Sequence, residues 1–155
     1  MNVTPAEIES VLKLLAQTPR SIRSVSSGQA PARLHFTANE QAWSANDVLA
    51  HLRSCADVWG KTIQAMLAQD NPTLPHVSPR SWIRKTDYRE RVFRSSFQAF
   101  VKQRDELLNA LRRLTLEDWT RAALIKGREH TVFSQARRMA LHEHEHCGQI
   151  EAVLK

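Results

Sequence analysis

One amphipathic segment, residues 44–66, reads SANDVLAHLRSCADVWGKTIQAM. It opens with Ser44 and, three residues later, Asp47, a side-chain pair that caps the start of an α-helix. The apolar positions that follow are spaced by three or four residues, a pattern typical of a helix in a bundle. These positions are Val48, Leu52, Cys55, Trp59, Ile63 and Met66. The segment therefore predicts a long helix with one buried face.

Three further segments carry the same helical pattern. The first runs from a capping box at Thr4 to about Val25, the next covers about Tyr88 to Leu114, and the last begins near Thr131. After the second helix, several prolines mark a long connection, and such a connection permits a crossover. We therefore predict an all-α fold with one domain over residues 1–155: a four-helix bundle with a long crossover connection between helices 2 and 3.

Composition and charge narrow the function classes. The formal net charge is +6, but the basic residues are spread from Lys13 to Lys155 without an arginine-rich block, so a solvated basic surface is favoured over nucleic-acid binding. The cysteines, Cys55 and Cys147, form no CxxC pair, which is typical of a reducing compartment. No apolar run is long enough for a membrane span, and no signal peptide is expected. These features predict a cytoplasmic location.

Three histidines fall on inward helix faces. His142 and His146 are one turn apart, about 40° from each other around the helix. His51 lies on the apolar face of the second helix. For one histidine alone, a hydrogen-bonded core residue is the simpler interpretation. The set of three favours a single divalent ion with open coordination positions, zinc or nickel first, with iron or manganese as further choices.

Residues 142–146 also match the sequence HExxH, which occurs in zinc proteases. The third histidine of one such class would fall at Ala152, and no substrate-binding strand is predicted before the helix. A peptidase is therefore not favoured.

Two charged residues occupy apolar positions and are the candidates for catalytic roles. Arg104 lies in a core register of the third helix, where it needs an anionic substrate, Glu143 as partner, or an extended path to solvent. Glu143 faces the same buried stripe and is a candidate base, a support for a ligand histidine, or the partner of Arg104. An anionic substrate is the slightly favoured partner. Cys55 is interpreted as packing rather than as a thiolate ligand. Gln149 is a candidate to orient a metal-bound water, or a peripheral residue.

Together these residues resemble the DinB-like superfamily over nearly the whole chain. The resemblance includes Trp43-Ser44, the block Asp47–Leu52 with its single histidine, and the residues Gly127–Thr131 that lead into the last helix. It closes with the pattern HxxxHxxQ from His142 to Gln149.

The resemblance implies a four-helix bundle, often dimeric, that holds one divalent metal through His51, His142 and His146. Members of that family include transferases and isomerases that use low-molecular-weight thiols such as bacillithiol or mycothiol. A metal-dependent enzyme of transferase or hydrolase type is therefore expected, acting on a small molecule and using such a thiol if it is a transferase. The alternative is a non-catalytic metal-binding bundle that acts in stress response or as an interaction module.

Overall fold

The computed structural model describes residues 2–155 and confirms the predicted four-helix bundle. Its long helices are α1 Pro5–Ser26, α3 Ala45–Ala68, α5 Phe93–Arg112 and α7 Val132–Val153. Its short helices are α2 Pro31–Leu34, α4 Pro79–Ile83 and α6 Leu116–Trp119. No helix within residues 2–155 combines the length and the apolar character that crossing a membrane requires.

Side-chain caps set where three of the long helices begin. Thr4 accepts a hydrogen bond from the backbone N–H of Glu7, and Ser44 accepts one from that of Asp47 at 3.0 Å. Thr131 does the same for α7. These starts agree with the sequence predictions because a cap depends only on residues within one turn.

The third long helix begins at Phe93, five residues later than predicted. The side-chain amide of Asn46 donates to the backbone carbonyls of Arg89 and Arg91, at 3.3 and 3.0 Å. His35 accepts from the backbone N–H of Phe93. These contacts come from distant parts of the chain, so they hold the residues before Phe93 out of the helix.

A small sheet, not predicted, lies beside the bundle. It contains β1 Thr73–Leu74, β2 Ala122–Ile125 and β3 Arg128–Thr131, with β1 parallel and β3 antiparallel to β2. Lys126 and Gly127 form the hairpin turn with φ angles of 52° and 72°, the combination a two-residue turn requires. β3 leads directly into α7, so a short strand precedes the last helix.

The helix directions follow from hydrogen bonds along the bundle. On α3, Arg53 donates to Ser96 and Asp57 accepts from Gln103, so α3 and α5 run parallel. Residues 69–92 link the end of α3 to the start of α5. α7 packs against both α1 and α3. Its contact with α3 places the two helices that carry the predicted histidines side by side.

Candidate metal centre

The three predicted histidines meet between α3 and α7. The Nε2 atom of His142 lies 3.3 Å from Nε2 of His51 and 3.0 Å from Nε2 of His146. All three side chains are half-buried, and one potential ligand atom from each lies within 4.8 Å of the others. The two helix faces thus present three imidazole nitrogens to one point.

These distances fit the coordination sphere of a divalent ion. Nitrogen ligands about 2.0–2.1 Å from a tetrahedral ion lie about 3.3–3.4 Å from one another, and the observed separations of 3.3 and 3.0 Å are close to this spacing. Among the described residues, these histidines form the only group with potential ligand atoms this close together. A bound ion would therefore keep positions open for water or substrate.

Gln149 determines which nitrogen of His146 is free. Its side-chain carbonyl oxygen lies 2.7 Å from Nδ1 of His146. Because that oxygen can only accept a hydrogen bond, Nδ1 carries the proton and Nε2 presents a lone pair to the cluster. Gln149 thus acts on a histidine, where the sequence analysis considered a metal-bound water or a peripheral position.

The surroundings keep two of the histidines neutral. Burial is the main cause that lowers the pKa of His51 to about 4, and the charges of His146, Arg80 and Arg89 contribute to the same shift. Burial likewise lowers the pKa of His142 to about 4, helped by His146, His51 and Arg138. Near pH 7 both rings therefore offer lone pairs, which is the protonation state that metal binding requires.

Aromatic and cationic side chains flank the cluster on two sides. The ring of Trp43 lies 5.3 Å from that of His51, and the guanidinium of Arg89 lies 5.8 Å from the Trp43 ring. On the other side, Trp59 lies 5.1 Å from His142 and Arg138 lies 5.2 Å from Trp59.

Neither Arg89 nor Arg138 is predicted from the sequence as a residue of the site. For Arg138 a signal existed, since it precedes His142 by four residues and so shares its helix face.

Cys55 lies beside the cluster without joining it. Its sulfur is 3.6 Å from Nε2 of His51, but it is not among the ligand atoms that converge. Burial raises the pKa of the Cys55 thiol to about 12, and the negative charge of Glu143 acts in the same direction. The thiol therefore stays protonated near neutral pH, in agreement with its interpretation as a packing residue.

Arg104 and Glu143, the predicted catalytic pair, bind each other in the core. The two Nη atoms of Arg104 donate to the two carboxylate oxygens of Glu143 at 2.6 and 2.5 Å. Arg104 also donates to the carbonyl of Leu15, and Thr18 donates to Glu143 at 2.9 Å. The side chains of the pair are 1% and 0% exposed.

This arrangement corrects the preference for an anionic substrate as the partner of Arg104. The pair encloses both charges, so neither side chain is offered to a substrate at the histidines. It also argues against a peptidase, because the glutamate of HExxH must act as a base beside the metal.

Comparisons with known proteins identify the family and the fold. The family model described as the DinB superfamily matches residues 14–150. Among solved structures, the chain is similar to YfiT from Bacillus subtilis, described as "a probable metal-dependent hydrolase with an unusual four-helix bundle topology". The TM-score is 0.84 at 14% sequence identity, and the match covers 98% of this chain and 88% of that chain. At this identity the likeness concerns the fold. No curated protein matches the sequence.

Proposed function

The chain belongs to the DinB superfamily, and on that premise we propose that it is a metal-dependent hydrolase with one divalent ion held by His51, His142 and His146. The observation that carries the proposal is the convergence of three Nε2 atoms with no fourth ligand among the described residues. The description of YfiT as a probable metal-dependent hydrolase supports the same reaction class.

The ion and the protein have separate tasks in this proposal. A divalent ion in an open three-histidine site acts as a Lewis acid that lowers the pKa of water or of a thiol. Gln149 fixes the ring of His146 by accepting a hydrogen bond from its Nδ1–H group. The rings of Trp43 and Trp59 pack beside the His51 and His142 rings and help to hold them in place. Zinc and nickel are the first choices, because both accept neutral imidazole ligands.

A second candidate reaction is transfer of a group to or from a low-molecular-weight thiol. Arg138 stands beside the cluster without a salt-bridge partner among the described residues and favours an anionic molecule there, whereas Arg89 already pairs with Asp47 at 3.8 Å. A thiol that carries carboxylates would meet that requirement. Assays with and without added thiol separate this reaction from simple hydrolysis.

Metal analysis of untagged protein tests the ligand set. We expect one ion per chain in the wild-type protein and a large loss of metal in His51→Ala, with the helical circular-dichroism spectrum preserved. His144→Ala is the matched control, since His144 lies on the exposed face of α7 between the two predicted ligands. Full metal occupancy in His51→Ala would refute the three-histidine site.

Cobalt substitution distinguishes an enzyme from a closed structural site. In an open site, added azide or thiol changes the visible spectrum of bound cobalt, because it enters a free coordination position. A spectrum that does not respond to either ligand would favour the non-catalytic alternative.

A further inference from the structure

A cavity of about 270 Å³ lies next to the histidine cluster, on the side toward the start of α7. It opens between α3, the segment that contains β1 and α4, and the hairpin of β2 and β3. The walls are mainly apolar and include Val58, Trp59, Leu74 and Trp82. Its volume falls just below the range of about 300–1,000 Å³ common for small-molecule sites, so it suits a compact ligand.

The cavity shares a wall with the candidate metal centre. Trp59 lines it, and the ring of Trp59 lies 5.1 Å from the ring of His142. Arg138 lines it as well, one helical turn before His142. A ligand in the cavity therefore contacts Trp59 and Arg138, two residues that also lie next to His142, although the three histidines themselves do not line it.

Charge in the cavity has one sign. Arg138 and Lys61 are the fully charged side chains among the described residues that line it, and no carboxylate lines it within that part of the chain. Each cation lies over an aromatic wall, Lys61 at 3.8 Å from the Trp82 ring and Arg138 at 5.2 Å from the Trp59 ring. Neither cation forms a salt bridge with another described residue.

One wall is held in place before any ligand binds. Asp57 accepts hydrogen bonds from the indole N–H of Trp82 at 2.9 Å, from the hydroxyl of Tyr88, and from the amide of Gln103 at 2.8 Å. These bonds tie α4 to α3, so binding need not order the Trp82 side of the cavity. A preformed wall lowers the entropy lost on binding.

From these observations we infer that the cavity binds a small carboxylic acid with an apolar, preferably aromatic, body. The body lies between Trp59 and Trp82, and the carboxylate is bound by Arg138 and Lys61. The further statement that this acid is the substrate of the metal centre rests on the proposed function. The binding of the acid in the cavity is independent of it.

Calorimetry with 3-phenylpropionate tests the inference, and its neutral analogue 3-phenylpropanamide measures the contribution of charge. We expect the acid to bind the wild-type protein and the amide to bind about tenfold more weakly, since a charge-assisted hydrogen bond is lost. Arg138→Gln should weaken binding of the acid by a similar factor. Arg137→Gln is the control, because Arg137 is the exposed neighbour on α7 and does not line the cavity.

The inference is overturned by no binding of 3-phenylpropionate at millimolar concentration, by equal affinities for acid and amide, or by equal effects of the two arginine substitutions. Metal-free His51→Ala separates the two proposals, since the acid should still bind there. Loss of binding in that variant would mean that the metal binds the carboxylate, which overturns the cavity assignment and leaves the metal centre intact. Conversely, if the wild-type protein takes up no metal but binds the acid, the cavity assignment stands and the proposed function is refuted.

Discussion

The buried ion pair between α5 and α7 makes a sharp prediction for Arg104→Met. In the wild-type protein, Glu143 receives two hydrogen bonds from Arg104 and one from Thr18, and its side chain is 0% exposed. Methionine fills a similar volume but donates nothing. The substitution therefore leaves a buried carboxylate with Thr18 as its remaining side-chain donor, and frees the carbonyl of Leu15.

The expected loss of stability is large. Removing one partner of a buried ion pair costs about 3–5 kcal/mol, since the other charge stays buried without compensation. Domains of this size are stable by about 5–15 kcal/mol, so the loss is a substantial part of the total. At a urea dependence of about 2 kcal/mol/M, it lowers the unfolding midpoint by about 2 M.

Urea unfolding followed by far-UV circular dichroism measures this loss. The protein should be metal-free, because an ion bound only to the folded state adds its own stabilisation. Arg112→Met is the matched control: it makes the same change in the same helix, at an exposed position in the last turn. We expect the control to lie within about 0.5 kcal/mol of the wild-type protein.

The double variant Arg104→Met/Glu143→Met completes the test. Replacing a whole buried ion pair with apolar residues is often neutral or stabilising, so the double variant should be more stable than Arg104→Met alone. The single variant Glu143→Met is measured as well. An unfolding free energy of Arg104→Met within about 1 kcal/mol of the wild-type value would contradict the prediction, as would a double variant whose loss equals the sum of the losses in Arg104→Met and Glu143→Met.

Three further predictions concern the metal centre. Gln149→Leu should weaken metal binding about 10- to 100-fold in a chelator competition, because the Nδ1–H group of His146 loses its hydrogen-bond acceptor. An unchanged affinity would exclude that orienting role. Cobalt-loaded protein should show no sulfur-to-cobalt charge-transfer band, since the Cys55 sulfur is not among the ligand atoms that converge; a band that disappears in Cys55→Ala would contradict this. Metal-free protein should melt at lower temperature as the pH falls from 6.5 toward 4, because burial lowers the pKa of His51 and His142 to about 4 and the unfolded chain then binds more protons. Calorimetric scans test this, and an equally steep decline in His51→Ala/His142→Ala would assign it to other groups.

Features that depend on neighbouring residues were predictable from the sequence. The capped starts at Thr4, Ser44 and Thr131 each need only the first helical turn. The start of α5 at Phe93 was mispredicted, because contacts from Asn46 and His35 decide it. The sheet was missed because its strands have only two to four residues, too few to show a clear alternating pattern. Only the pairing of β1 with β2 spans a long stretch of chain, since β2 and β3 form a local hairpin.

The same difference between local patterns and contacts of distant residues applies to the candidate site. Apolar periodicity placed His51, His142 and His146 on inward faces, and two packed helices then brought them together. Periodicity also placed Arg104 in the core, but it gives no information about the distance between residues on different helices. The sequence therefore could not decide between an anionic substrate, Glu143 and a path to solvent, whereas the structure places Glu143 against Arg104.

Two adjacent residues of α7 link the stability of the bundle to the geometry of the site. His142 points toward α3 and its histidine, whereas Glu143 points toward Arg104 on α5 and Thr18 on α1. A rotation of α7 about its axis would separate His142 from His51, and the same rotation would break the bonds of Glu143. The ion pair thus fixes the orientation that the histidines need, although it offers no group to a substrate. This orienting role explains why two charged residues lie in an apolar stripe although they do not contact a substrate. The metal affinity of the Arg104→Met/Glu143→Met variant tests it, because that variant removes the ion pair without leaving an unpaired buried charge.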